Sequence, residues 1–155
     1  MIEYLSGDII LVEGTNFMSR VVQWATVSPY SHVALVAEDC LIEALASQNA
    51  VVRSPLNKYQ NVGTFHGRVV GATEGEIAFA VSWVHGWVGR HYGWREAIDS
   101  GVRDVLHVPL RPRLAHLDCS GVVAGAYRAA GHPLTRAICP TPADIWVSEL
   151  VQEVM

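Results

Sequence analysis

The apolar positions of this chain fall in short runs whose spacing switches between strand-like and helix-like periods. Ile9 to Val12 form a compact apolar run between Gly7-Asp8 and Gly14, as expected for a buried strand. Over 17–26, Phe17, Met18, Val21, Val22 and Ala25 share one helical stripe, which predicts a short amphipathic helix broken by Ser28-Pro29. Strands are expected at 32–37 and 40–45 around the turn-like Glu38-Asp39, with further short strands at Val51-Val52 and from Thr64 to Val70. A helix from about Thr73 to Val88 carries Glu74 and Glu76 in its first turn, where they suit the helix dipole. A weaker helix is expected over Trp94 to Val102, another after Asp118, and a last one from Thr141 with Pro142 in first position. Short strands between separated helices, without internal repeats, give an α+β class with a small antiparallel sheet packed with helices, in a single domain over 1–155.

Composition narrows the function classes. Half of the 155 residues are apolar and 17% are charged, which fits a globular core and not a disordered tail. A net charge of −4 without any Lys/Arg run gives no nucleic-acid surface. No apolar stretch reaches the roughly 18 residues of a transmembrane helix. The start Met-Ile-Glu-Tyr-Leu-Ser-Gly-Asp lacks the basic head and apolar core of a signal peptide, so cytoplasmic synthesis is expected. Three cysteines without CxxC spacing argue against a disulfide framework and against a zinc site, and no cofactor or metal is called for.

The chemistry concentrates at Asp118-Cys119-Ser120-Gly121. Asp118 is a good N-cap, Cys119 falls in the first turn, and Gly131 suits the position after the helix end. A thiol there feels the positive end of the helix dipole, which favours the nucleophilic thiolate over a structural role. Cys40 and Cys139 have no such helix start behind them and read as structural. The base candidate is His32, which leads the run Val33-Ala34-Leu35-Val36, with His116, three residues before Cys119, as its rival. The other histidines are scattered without ligand spacing. Glu43, in Leu41-Ile42-Glu43-Ala44-Leu45, is either a solvated strand residue or a buried carboxylate that needs a partner such as an imidazole. Trp83 and Trp87, four apart, read as core packing.

Together these pieces resemble the NlpC-type cell-wall peptidases, which are papain-like cysteine hydrolases. Asp118-Cys119-Ser120-Gly121-Val122-Val123 with Tyr127 and Gly131 is similar to that family's nucleophile helix. Ile77 to Trp94 is similar to its preceding helix and tyrosine-bearing turn, while Gly7-Asp8-Ile9-Ile10, Ser31-His32-Val33-Ala34 and Ile42-Glu43-Ala44 resemble its strand motifs. In the usual order those strands follow the cysteine. Here they precede it, and the order His, Glu, Cys is that of the circularly permuted YiiX/YebB-like branch, whose distant relatives include lecithin retinol acyltransferase.

The resemblance implies a circularly permuted papain-like fold and a Cys119–His32–Glu43 triad that cleaves an amide through an acyl-enzyme. It places Tyr92 and Ser120 at the oxyanion or substrate side. The expected partner is a peptide or peptidoglycan-like substrate, such as a stem peptide, reached by phage- or secretion-type delivery. Two other readings stand beside it: acyl or thioester transfer or lipid hydrolysis, as in the retinol acyltransferase relatives, and a binding module without turnover.

Overall fold

Strand β1 (Ile9–Val12) is apolar and buried at every position because both of its faces are covered. Ile9 and Leu11 join Val33, Leu35, Ile42 and Ala44 in the main core, while Ile10 and Val12 meet Ala34, Val36 and Leu41 on the opposite face. Burial on both sides removes the polar alternation that a half-solvated strand would show. The computed structural model describes residues 3–91 and 118–155. Within them β2 (His32–Ala37), β3 (Cys40–Leu45), β4 (Ala50–Pro55), β5 (Thr64–Val69) and β6 (Val151–Glu153) complete one antiparallel sheet, in the order β4-β3-β2-β1-β5-β6. The expected helix over Trp94 to Val102 lies outside the described residues.

One face of the sheet carries a layer of helices. Helix α2 (Glu74–His85) starts at a capping box in which Thr73 and Glu76 satisfy each other's backbone N–H groups. It stops at His85, short of the expected Val88, because the chain turns away at Gly86. Helix α3 (Cys119–Ala129) packs against α2, β2 and β3, with Val122, Val123, Ala126 and Tyr127 buried. The two helices approach closely at Gly125, where a β-carbon would sit 2.9 Å from the Trp83 ring. Trp83 and Trp87 pack on the core with ring centroids 5.4 Å apart. Gly131 follows α3 at φ +84°, a conformation open to glycine and costly for other residues. The short α4 (Pro142–Trp146) begins at a second capping box, Thr141 with Asp144.

The other face is covered by a short 3-10 turn, Leu56–Tyr59, whose Leu56 and Tyr59 pack on Ala34, Val36 and Leu41. Helix α1 (Phe17–Thr26) forms over the expected span, with the Asn16 side chain accepting from Ser19 N–H at its start. On its outer side Val21 is 41% and Trp24 74% exposed. The chain leaves α1 through Val27 at φ 50°, a strained conformation for a β-branched residue.

At the start of β1 lies a buried ionic cluster that the sequence pattern did not announce. The Asp8 carboxylate accepts from Leu5 N–H at 2.9 Å, from Arg68 Nε at 2.9 Å and Nη2 at 2.8 Å, and meets His66 Nε2 at 2.6 Å. Burial alone would raise the Asp8 pKa, but Arg68, Leu5 and His66 together pull it below its ordinary 3.8. A depressed carboxyl stabilises the fold above its ordinary value and loses that contribution as the medium becomes more acidic. Asp8→Ala leaves His66 and Arg68 without their anion, and a loss of about 3 kcal/mol is expected in urea unfolding. A midpoint and slope equal to the parent's would show that the cluster contributes nothing net.

Candidate active site

Glu43 is fully buried on β3. The register Leu35↔Ile42, Val36↔Leu41 and Ala37↔Cys40 puts His32 and Glu43 on one face of the β2–β3 pair as diagonal neighbours. His32 Nε2 lies 2.6 Å from Glu43 Oε2. The remaining needs of the carboxylate are met from the turn that covers this face. Lys58 Nζ donates to Oε1, and the Tyr59 hydroxyl donates to Oε2 at 2.5 Å. Lys58 also reaches Ser54 Oγ at 3.3 Å. A buried carboxylate is costly unless paired and hydrogen-bonded, and this one has both kinds of partner.

Cys119 is 6% exposed and opens α3, with Asp118 as the N-cap. The Asp118 carboxylate accepts from Gly121 N–H at 2.5 Å. At the first helical position the Cys119 N–H has no carbonyl four residues back to bond. Its side chain is close enough to His32 to hold that imidazole more basic. Cys119 belongs to the helix layer, whereas the register puts Glu43 and His32 on the face of the smaller core. His32 serves both because it is the terminal residue of β2, at the end of the sheet.

The electrostatics follow from this arrangement. Burial alone would lower the His32 pKa, yet hydrogen bonds and charge from Cys119 and Glu43 raise it from 6.5 to about 9. Burial alone would raise that of Glu43, yet His32, Lys58 and Ser54 bring it from 4.5 down to about 2. The Tyr59 hydroxyl is held well above its usual range, first by burial and then by the Glu43 charge. The His32 contribution to stability is complete below pH 6.5 and is lost as pH rises through about 9. That of Glu43 is complete above pH 4.5 and is lost as pH falls through about 2. A thermal-unfolding series across pH is therefore expected to place both contributions at full strength between pH 4.5 and 6.5. A steady rise in stability from pH 6.5 to 9.5 would contradict it.

The other predicted site residues are distributed differently. Ser120 is buried, its Oγ 3.8 Å from the Cys119 sulfur, so its side chain is not open to solvent. Tyr92 and His116 lie outside the described residues. Cys40 is buried and donates to Ala37 O at 3.3 Å. Lys58 and Tyr59 were not singled out by sequence. They sit 15 and 16 residues from Glu43, in a turn too short to show any period.

An antiparallel sheet with a cysteine-initiated helix on one face and a histidine–glutamate pair at its end defines an α+β fold with a counterpart among solved structures. The crystal structure of metalloprotein YiiX from Escherichia coli O157:H7 has this fold. It matches with a TM-score of 0.73 at 18% sequence identity, over 97% of this chain and 96% of that one. No protein-family model matches the chain, and no curated protein matches it in sequence.

YiiX is described as a metalloprotein. Among the described residues of this chain, no group of three or more His, Cys, Asp or Glu side chains is placed to hold a metal ion. Arg68 and His66 already engage Asp8, and Lys58, Tyr59 and His32 engage Glu43, so neither carboxylate offers a vacant lone-pair cluster. Among the described residues no helix is long and apolar enough to cross a membrane.

Proposed function

We propose that this protein is a cysteine hydrolase of the circularly permuted, NlpC-like papain type, acting through Cys119, His32 and Glu43. The observation that carries the reading is the buried Glu43 carboxylate on His32, with the Cys119 side chain, at the start of its helix, contributing to the raised basicity of the same ring. In this scheme His32 holds the thiol proton as an imidazolium, and the Cys119 thiolate attacks the carbonyl carbon of an amide. The negative charge on the tetrahedral oxygen is received by the N–H of Cys119, which at the first helical position has no intrahelical acceptor. Collapse breaks the C–N bond, the leaving amine takes the proton from His32, and a thioester remains on Cys119. Water, deprotonated by His32, then releases the acid and restores the thiol.

The substrate class we propose is a short peptide of the peptidoglycan stem type. A lipid or thioester substrate is the second reading, and the exposed apolar end of α1 favours it. Trp24 is 74% and Val27 90% exposed, in the segment that leads directly into His32. Incubation with muropeptides and with acyl-ester probes, read by mass spectrometry of protein and products, separates them. A thioester adduct on Cys119 with one probe class supports that class, and no adduct with either supports a binding module.

Glu43→Gln tests the third member. The neutral amide keeps a hydrogen bond to His32 but removes the charge that supports the imidazolium. Less thiolate should then be present near neutral pH, and the pH profile of Cys119 alkylation should move to higher pH while the protein stays folded. Activity should fall less than on removing Cys119. Superimposable profiles would assign the third position to another group.

A further inference from the structure

We propose that Lys58 and Tyr59 are positioning residues that share the Glu43 charge and so limit how strongly His32 holds its proton. The inference deepens the cysteine-hydrolase reading and rests on it. Three donors converge on one fully buried carboxylate: Lys58 on Oε1, and Tyr59 at 2.5 Å and His32 at 2.6 Å on Oε2. Tyr59 and His32 therefore compete for the same oxygen, and Lys58 is a full positive charge on the other.

Two of these donors exceed what orientation of an imidazole requires. A carboxylate that faced His32 alone in a buried site would bind the imidazolium very tightly. Such an imidazolium supports a thiolate well but releases its proton poorly to a leaving amine, and acyl transfer needs both. Each donor that takes part of the Glu43 charge weakens the hold on His32. The turn 56–59 fixes both donors, because Leu56 and Tyr59 are anchored on the Ala34, Val36 and Leu41 face. The Tyr59 and His32 rings lie 6.0 Å apart, and the Lys58 ammonium sits 5.0 Å over the Tyr59 ring. Among the described residues, the ionisable groups facing His32 are Glu43 from β3, Cys119 from α3, and Lys58 with Tyr59 from this turn.

The test is the titration of the His32 ring, followed by NMR with labelled histidine and assigned by its loss in His32→Asn. In Lys58→Met the midpoint should move up by about one pH unit, as expected for removing a nearby like charge. Tyr59→Phe should move it the same way by less, and Lys58→Arg should leave it in place. A merely structural lysine would change stability without moving the midpoint. If Lys58→Met does not fold, the Tyr59→Phe and Lys58→Arg pair carries the same comparison. An unchanged or lowered midpoint in folded Lys58→Met or Tyr59→Phe overturns the inference alone. A native His32 that titrates near 6.5 and ignores Cys119→Ala would instead overturn the cysteine–histidine reading beneath it.

Discussion

Cys119→Ala is expected to abolish turnover, by about 10³-fold or more, while the protein remains folded. The thiol is the proposed nucleophile, and none of the other groups at the site can form the thioester. The substitution exchanges one small side chain for another in the first turn of α3, where the Asp118 cap and the contacts of Val122 and Val123 are untouched. His32 should become less basic because it loses one of its two supporting partners, so the thermal midpoint near neutral pH should fall modestly while the protein stays folded. Single-turnover assays with an acyl probe and intact-mass measurement check this together. Retained turnover in Cys119→Ala, with loss in Cys40→Ala, would move the nucleophile to Cys40 and dismantle the proposed site.

His32→Ala should be nearly as damaging, with a loss of about 10²–10⁴-fold. Both proton transfers pass through this ring, to and from the sulfur and then to the leaving group. The fold should survive because Glu43 keeps Lys58 and Tyr59 as partners after the imidazole is gone. The buried carboxylate is then left with a single cation, so a modest drop in stability should accompany the loss. His116→Ala is expected to retain most activity. The reverse result, an active His32→Ala and an inactive His116→Ala, would reassign the base. Measuring alkylation of Cys119 near pH 7 in both variants shows which histidine supports the thiolate, since only loss of the base removes it.

The local parts of this protein were legible in its sequence. The strands at 32–37 and 40–45, the Asp118 cap and the glycine after α3 depend on a few adjacent residues, and each has a chemical signature of its own. Parts that depend on distant partners were not legible. Strand β6 is three residues long and exists by pairing Val151 to Glu153 with Gly67 to Val69. The Asp8 cluster joins residues 58 and 60 positions apart, and His66 looks like any scattered histidine until β5 is laid beside β1. The pattern around Glu43 admitted both a solvated and a buried carboxylate. What excludes the solvated face is the turn at 56–59, which neither periodicity nor composition predicts. The overextended reading of α2 has a similar origin, since apolar Trp87 and Val88 continue the periodicity beyond the point where Gly86 ends the helix.

The distribution of the site along the chain bears on how it assembles. His32 and Glu43 are eleven residues apart across one hairpin, and Lys58 and Tyr59 arrive within the next sixteen. These contacts are local and should form early, whereas Cys119 joins only after a long loop has closed and α3 has docked. On this ordering the buried charge network should form before the thiol joins it. A newly made molecule would pass through a stage in which β1 to β5 are paired and Glu43 is buried, while β6 and the Cys119 helix have still to be added.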